Sequence, residues 1–161
     1  MEIERVMEKD DKGAGVKIPP PVVFILFMLL AHANELLFPI GITFAPVITY
    51  IGLGVVMAGL ILLFSLLLQF KRVKTAIEPW QPTSSIIKTG LYKYSRNPIY
   101  LALCTIPLGL GLYFSHVWLI TSVLPSCIGV YYVAIRPEEA YLTRKFGDEY
   151  IRYQQQVRRW F

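Results

Sequence analysis

This chain has little charge for its length. Asp, Glu, Lys and Arg make up 17% of its 161 residues and hydrophobic residues 55%, against roughly 25% and 45–50% in soluble domains. That balance excludes an ordinary soluble globular protein, and the same apolarity excludes a disordered chain. Two cysteines are too few for a disulfide scaffold; Cys104 and Cys127 sit inside apolar runs and read as small buried hydrophobes. With two histidines, His32 and His116, and no CxxC or HxxxH spacing, a structural zinc site has no ligand set. A glycine-rich nucleotide loop is missing too. Gly52-Leu53-Gly54 lies within an apolar run, without a preceding strand or an acid about 20 residues on, and reads as helix packing, where small residues let backbones approach. The length suits one domain, 1–161.

What is present are four apolar runs: Pro21–Ile42, Pro46–Phe70, Ile99–Phe114 and Val117–Ile135. Crossing a bilayer takes roughly 17–25 apolar residues. The second and fourth fit; the third is short and needs Asn97 and Pro98 as its first turn. His32, Asn34 and Glu35 interrupt the first, which lacks the small-residue cleavage motif of a signal peptide and follows the triple proline Pro19–Pro21. All 16 Lys and Arg fall outside these runs, in the arm 1–20, the central segment 71–98 and the tail 136–161. The turns between the first and second runs and between the third and fourth contain none. The positive-inside rule therefore predicts an all-α, polytopic integral membrane protein with four transmembrane helices (pairs 21–70 and 99–135) in a cell or other intracellular-facing membrane, both termini cytoplasmic. The basic balance is a topology signal, not a nucleic-acid signal.

Two stretches on that face exceed a connector. Glu78-Pro79-Trp80-Gln81-Pro82-Thr83-Ser84-Ser85 reads as a rigid turning piece, since each proline biases its predecessor away from the helix. Gly90-Leu91-Tyr92-Lys93-Tyr94-Ser95-Arg96-Asn97-Pro98-Ile99-Tyr100 then gathers aromatic, basic and amide groups, either as an interfacial belt or as part of a site. In the tail, Glu138 and Glu139 after Pro137 suit a helix N-terminus. Gly147 ends that helix, and Tyr150, Tyr153 and Val157 recur on one face of the next, which rests on the membrane or the core. His32 and Glu35 share a helical face near the outer end, where Glu35 pairs with His32, meets solvent or marks a functional intramembrane acid. His116 reads as exposed in the outer turn. Pro107 and Pro125 are either ordinary membrane prolines or kinks that open room for a lipid tail.

The order Lys88–Leu101, Glu138-Glu139, then Phe146-Gly147-Asp148-Glu149-Tyr150-Ile151-Arg152-Tyr153 resembles the isoprenylcysteine carboxyl methyltransferases and related membrane phospholipid methyltransferases, from about Pro82 onward. The resemblance implies transfer of a methyl group from S-adenosylmethionine, leaving S-adenosylhomocysteine, to a lipid or prenylated substrate at the membrane surface. It places Ser84, Ser85, Ile86, Ile87, Tyr92, Asn97, Pro98, Ile99, Tyr100 and Glu138 around the cofactor, and gives catalytic roles to Arg136, which orients the substrate's acidic group, and Glu139, which supports it. No metal is implied. Family members tied to prenylated cysteine usually carry His where this chain has Asn97, and the arginine before the acid pair sits closer to it here. An isoprenylcysteine-type carboxylate is the expected substrate. A phospholipid or other lipophilic amine or thiol is the alternative, with Glu139 or Tyr100 as base for an amine; a non-catalytic four-helix membrane protein binding lipid or a partner is the alternative from another class.

Overall fold

The computed structural model describes residues 13–73 and 81–160. Arg5, Lys9, Lys12, Lys74 and the Glu78-Pro79-Trp80 piece lie outside the described residues. Those described form helices and loops without strands. Helix α1 spans Pro20–Leu37, α2 Pro46–Val73, α3 Pro98–Tyr113, α4 Val117–Phe146 and α5 Asp148–Gln156. Of these, α1, α2 and α4 are long and apolar enough to cross a membrane. At 16 residues, α3 extends roughly 24 Å at 1.5 Å per residue, less than the roughly 30 Å of a hydrocarbon core.

The bundle wears its hydrophobic residues outside. Ile25, Leu26 and Leu29 on α1 and Ile51, Leu53, Ile61 and Phe64 on α2 are exposed, which is costly in water and favourable against lipid tails. Lipid offers apolar groups no reason to leave it, so packing rests on close backbone approach. α2 and α3 run antiparallel and touch where side chains are smallest. A Cβ on Gly52 would lie 2.6 Å from the Gly109 carbonyl oxygen, and one on Gly109 2.7 Å from that of Gly52. One turn pair further on, Gly59 meets Thr105. The packing expected of Gly52-Leu53-Gly54 thus belongs to Gly52 and Gly59, seven apart on one face, while Gly54 faces open space.

Helix α4 is continuous where the sequence suggested a span followed by a separate tail helix. Its first irregularity, at Ser122, matches the missing N–H of Pro125, which leaves the Thr121 carbonyl without its helical donor. Its second is a π-helical turn at Tyr131–Ile135, where the Arg136 N–H reaches back five residues to the Tyr131 carbonyl just before Pro137. The helix then runs on through Arg136–Phe146 and ends at Gly147, whose φ of +52° favours glycine.

At the end opposite α4's C-terminus, Trp118 Nε1 donates to the Phe38 carbonyl at 3.0 Å, and the Phe44 N–H to Ser115 Oγ at 2.9 Å. His116 is not an exposed turn residue: its Nδ1 caps α4 by accepting the Leu119 N–H at 3.2 Å, and its side chain is largely covered. Glu35 Oε2 stands 3.8 Å from that Nδ1, a contact with the turn residue His116. Residues 13–16, part of the expected arm 1–20, are built into the other end. Val16 is buried with Phe24, Tyr100, Val130 and Ile135, and Gly13 lies against the Gln81 backbone.

Gly52→Val should force α2 and α3 apart and cost about 1–3 kcal/mol, the usual penalty of overpacking, while Gly54→Val should leave the thermal unfolding midpoint in detergent unchanged. Equal effects from both would contradict the glycine seam.

Candidate functional site

A cavity opens where the N-terminus of α3, the C-terminal extension of α4, α5 and the segment 81–97 converge. Its walls include Phe70, Ile86, Ile87, Tyr92, Ile99 and Leu142; its polar groups come from Arg96, Asn97, Tyr100, Glu138, Tyr150 and Tyr153. The floor is shaped locally. Gln69 Nε2 donates to the Thr89 carbonyl at 3.0 Å, holding the approach to Gly90, whose φ of +61° starts the short 3₁₀ turn Gly90–Lys93. That turn buries Tyr92 edge-on against Phe70. From α5, the Tyr153 hydroxyl donates to the Tyr92 carbonyl at 2.7 Å. Tyr150, Tyr153 and Val157 bury together against Ile86, Leu142 and Phe146, so α5 rests its apolar face on the protein.

The two neighbouring acids part company. The Tyr100 hydroxyl donates to Glu138, a contact between α3 and α4 inside the cavity. Glu139 receives both arms of Arg159, Nε to Oε1 at 2.9 Å and Nη2 to Oε2 at 2.8 Å, the bidentate geometry that makes guanidinium–carboxylate pairs strong. Arg96 Nη1 stands 3.1 Å from the same Oε1. The Arg96 side chain is only 10% exposed, and its Nε has no hydrogen-bond acceptor among the described residues. A buried guanidinium with an unused N–H at a cavity wall is a ready anion site.

The chain's last residues close the arrangement. The Arg96 N–H donates to the Arg158 carbonyl at 3.0 Å, and Asn97 Nδ2 and Ser95 Oγ donate to the Arg159 carbonyl at 3.0 and 3.3 Å. The Arg159 guanidinium also lies over the Tyr131 ring, 5.2 Å from its centroid. Its hydrogen bonds to Glu139 raise its pKa further. Burial pushes the Tyr92, Tyr150 and Tyr153 phenols above their ordinary range, Tyr150 up to about 12 with the Glu139 charge adding to the effect. All three are therefore hydrogen-bond donors at neutral pH.

Of the residues singled out in sequence, Ser85, Ile86, Ile87, Tyr92, Asn97, Ile99, Tyr100 and Glu138 line this cavity. Ser84 and Pro98 are adjacent to it without lining it, and Glu139 sits behind Arg96. Arg136 is exposed and outside the lining. Arg96, Tyr141 and Ala14 line the cavity without having been singled out, and Arg159 braces it from behind. Arg96 stood inside the motif already quoted, and Tyr141 three residues from Glu138 on one helical face. Nothing in the local pattern marked Arg159 or Ala14.

The family model described as phospholipid methyltransferase matches residues 47–149, more than half of the chain. An uncharacterized protein of Haemophilus influenzae is 42% identical over 64 residues, covering 38% of this chain and 98% of the relative. No solved structure matches.

Arg159→Ala removes two charge-assisted hydrogen bonds and should lower unfolding stability by about 1–3 kcal/mol, with faster amide exchange at 157–160; unchanged exchange there would deny this C-terminal strap, residues 157–160, its anchor. Tyr150 keeps its proton in the folded protein at pH values where the unfolded chain has lost it. Its contribution is therefore complete below about 10 and falls as pH rises toward about 12. Tyr150→Phe should flatten that alkaline loss of thermal stability; an unaltered slope would place its origin elsewhere.

Proposed function

The chain belongs to the phospholipid methyltransferase family of membrane methyltransferases acting on lipophilic substrates, and on that premise we propose that it is a four-span, S-adenosylmethionine-dependent enzyme that methylates the carboxylate of an isoprenylcysteine-type lipid. The observation that carries this reading is Arg96: a nearly buried guanidinium at the cavity wall with Nε unpartnered among the described residues.

The residues present fit the cofactor's chemistry. The Glu138 carboxylate suits a cationic amino group, Asn97 a polar edge, and Phe70, Tyr92, Ile86 and Ile87 a flat aromatic base. When bound, S-adenosylmethionine supplies a methyl group activated on a sulfonium. The protein's own work is positioning, which can contribute roughly 7–11 kcal/mol to such a bimolecular step. A carboxylate loses its charge as it is methylated, so walls that exclude water favour its reaction; Phe70, Ile86, Ile87 and Ile99 provide them. Arg96 orients the acid. Because Glu139 already stands 3.1 Å from its Nη1, Arg96 meets a second anion with part of its charge offset, a grip that aims a nucleophile without quenching it. Arg136, exposed on α4, has no place in this arrangement.

The second reading, methylation of a phospholipid amine, is favoured by the description of the matching family. An amine must arrive deprotonated and needs a base. Here Glu139 is held by Arg96 and Arg159, and Tyr100 donates to Glu138, so both expected bases are engaged. Orientation follows from charge: Lys17, Lys71, Arg72, Arg96 and Arg144 flank the cavity end of the helices, which supports a cytoplasmic site with both termini inside. On this reading α3 spans with the help of the Ser95–Asn97 turn before it.

Detergent-purified protein with methyl-labelled S-adenosylmethionine should convert a prenylated cysteine derivative into a base-labile ester. Labelling of phosphatidylethanolamine alone would overturn the carboxylate assignment. Glu138→Gln and Asn97→Ala should each weaken cofactor affinity about 10-fold, as loss of one buried hydrogen bond does. Arg96→Ala should instead raise the substrate KM by about 10-fold or more at nearly constant cofactor affinity, and Arg136→Ala should change neither; equal losses in both constants at Arg96 would refute its orienting role.

A further inference from the structure

Beyond the cavity, α3 and α4 carry one more pair of reactive groups. Cys104 Sγ and Cys127 Sγ lie 3.3 Å apart, both thiols free and both partly covered. Cys104 is one turn past Tyr100 and packs against the buried cluster of Tyr100, Leu103, Val130 and Ala134. Cys127 lies on α4, upstream of the π-helical turn that leads to Glu138. The two helices joined by this thiol contact are thus the two joined by the Tyr100–Glu138 hydrogen bond.

We propose that Cys104 and Cys127 are a reversible disulfide site that latches α3 to α4 and thereby controls the cavity. The sulfurs lie in an apolar layer, so the oxidant must dissolve there; the chemical class that fits is an organic hydroperoxide such as an oxidised lipid. One thiol attacks the terminal peroxide oxygen, forming a sulfenic acid and releasing the alcohol, which takes up the thiol proton. The second thiol, already at contact distance, displaces the hydroxyl. The S–S bond forms, water leaves, and two thiols have been oxidised as one peroxide is reduced. A resolving thiol this close intercepts the sulfenic acid before further oxidation. Bond formation takes the sulfurs from 3.3 Å to about 2.05 Å and ties α3 to α4 one turn from Tyr100. At the base of a positioning site, even a shift of about 1 Å costs up to about 100-fold in rate.

Formation of the bond is independent of the methyl-transfer reading; its effect on turnover rests on that reading. The test treats the full chain in detergent micelles with cumene hydroperoxide. Wild type should lose both thiols and the mass of two hydrogens while remaining one chain on a non-reducing gel, and dithiothreitol should restore it. Cys104→Ala and Cys127→Ala should keep basal methyl transfer but yield only singly oxidised or glutathione-trappable sulfur. Turnover of wild type should fall about 10-fold or more in step with the bond and recover on reduction. Retention of both thiols in wild type, or cross-linking only between chains, overturns the site. A fully oxidised protein with unchanged turnover overturns the latch. Absence of methyl transfer before oxidation sinks the functional reading alone, because thiol count and mass still report the bond.

Discussion

The Glu139 carboxylate, held between two guanidinium groups, is the interaction on which the cavity depends. Arg159 meets it with two hydrogen bonds and Arg96 approaches from the other side at 3.1 Å. Those three residues belong to the end of the chain, the extension of α4 and the loop before α3. Without the shared anion the buried Arg96 and the half-exposed Arg159 would repel, and the strap carrying the Arg158 and Arg159 carbonyls would lose its hold on Arg96 and Asn97. One acid thus orders segments more than sixty residues apart in sequence, a linkage worth more in a partly dehydrated setting than on an open surface.

The bundle beneath is held differently. Its outer faces are apolar and unpaired, as suits hydrocarbon, so cohesion comes from fit between backbones, at Gly52 with Gly109 and Gly59 with Thr105. Proline breaks this regularity where it is useful. Pro125 and Pro137 each remove a helical N–H, and the π-helical turn before Pro137 sets the angle from which Glu138 faces Tyr100 while Glu139 faces the arginines. Adjacent acids lie about one hundred degrees apart on a helix, and here each has its own partner.

The helices and their ends were legible because they follow from short-range rules. Apolar runs separated by Gly, Pro and charge marked α2 and α4, Gly147 marked the break before α5, and the spacing of Tyr150, Tyr153 and Val157 marked the face that buries. The same rules misjudged the fate of that fourth run, because a proline at Pro137 reads equally as a start or as a tolerated defect, and packing against α5 and the strap favours continuity. His116 looked exposed for a similar reason: a turn residue shows its capping role only when the N–H it meets is placed.

Composition and charge distribution by themselves determined an all-helical, membrane-suited chain with its basic residues gathered on alternate loops, because the cost of placing charge in hydrocarbon acts on each residue separately. The family resemblance likewise marked half of the residues that line the cavity. Which arginine faces it was decided only in three dimensions. Arg136 and Arg96 are equally basic in the sequence, but the helix phase after the π-helical turn leaves Arg136 exposed, while the Arg158–Arg159 strap and Glu139 hold Arg96 inward. Those contacts join residues distant along the chain, and no local periodicity encodes them.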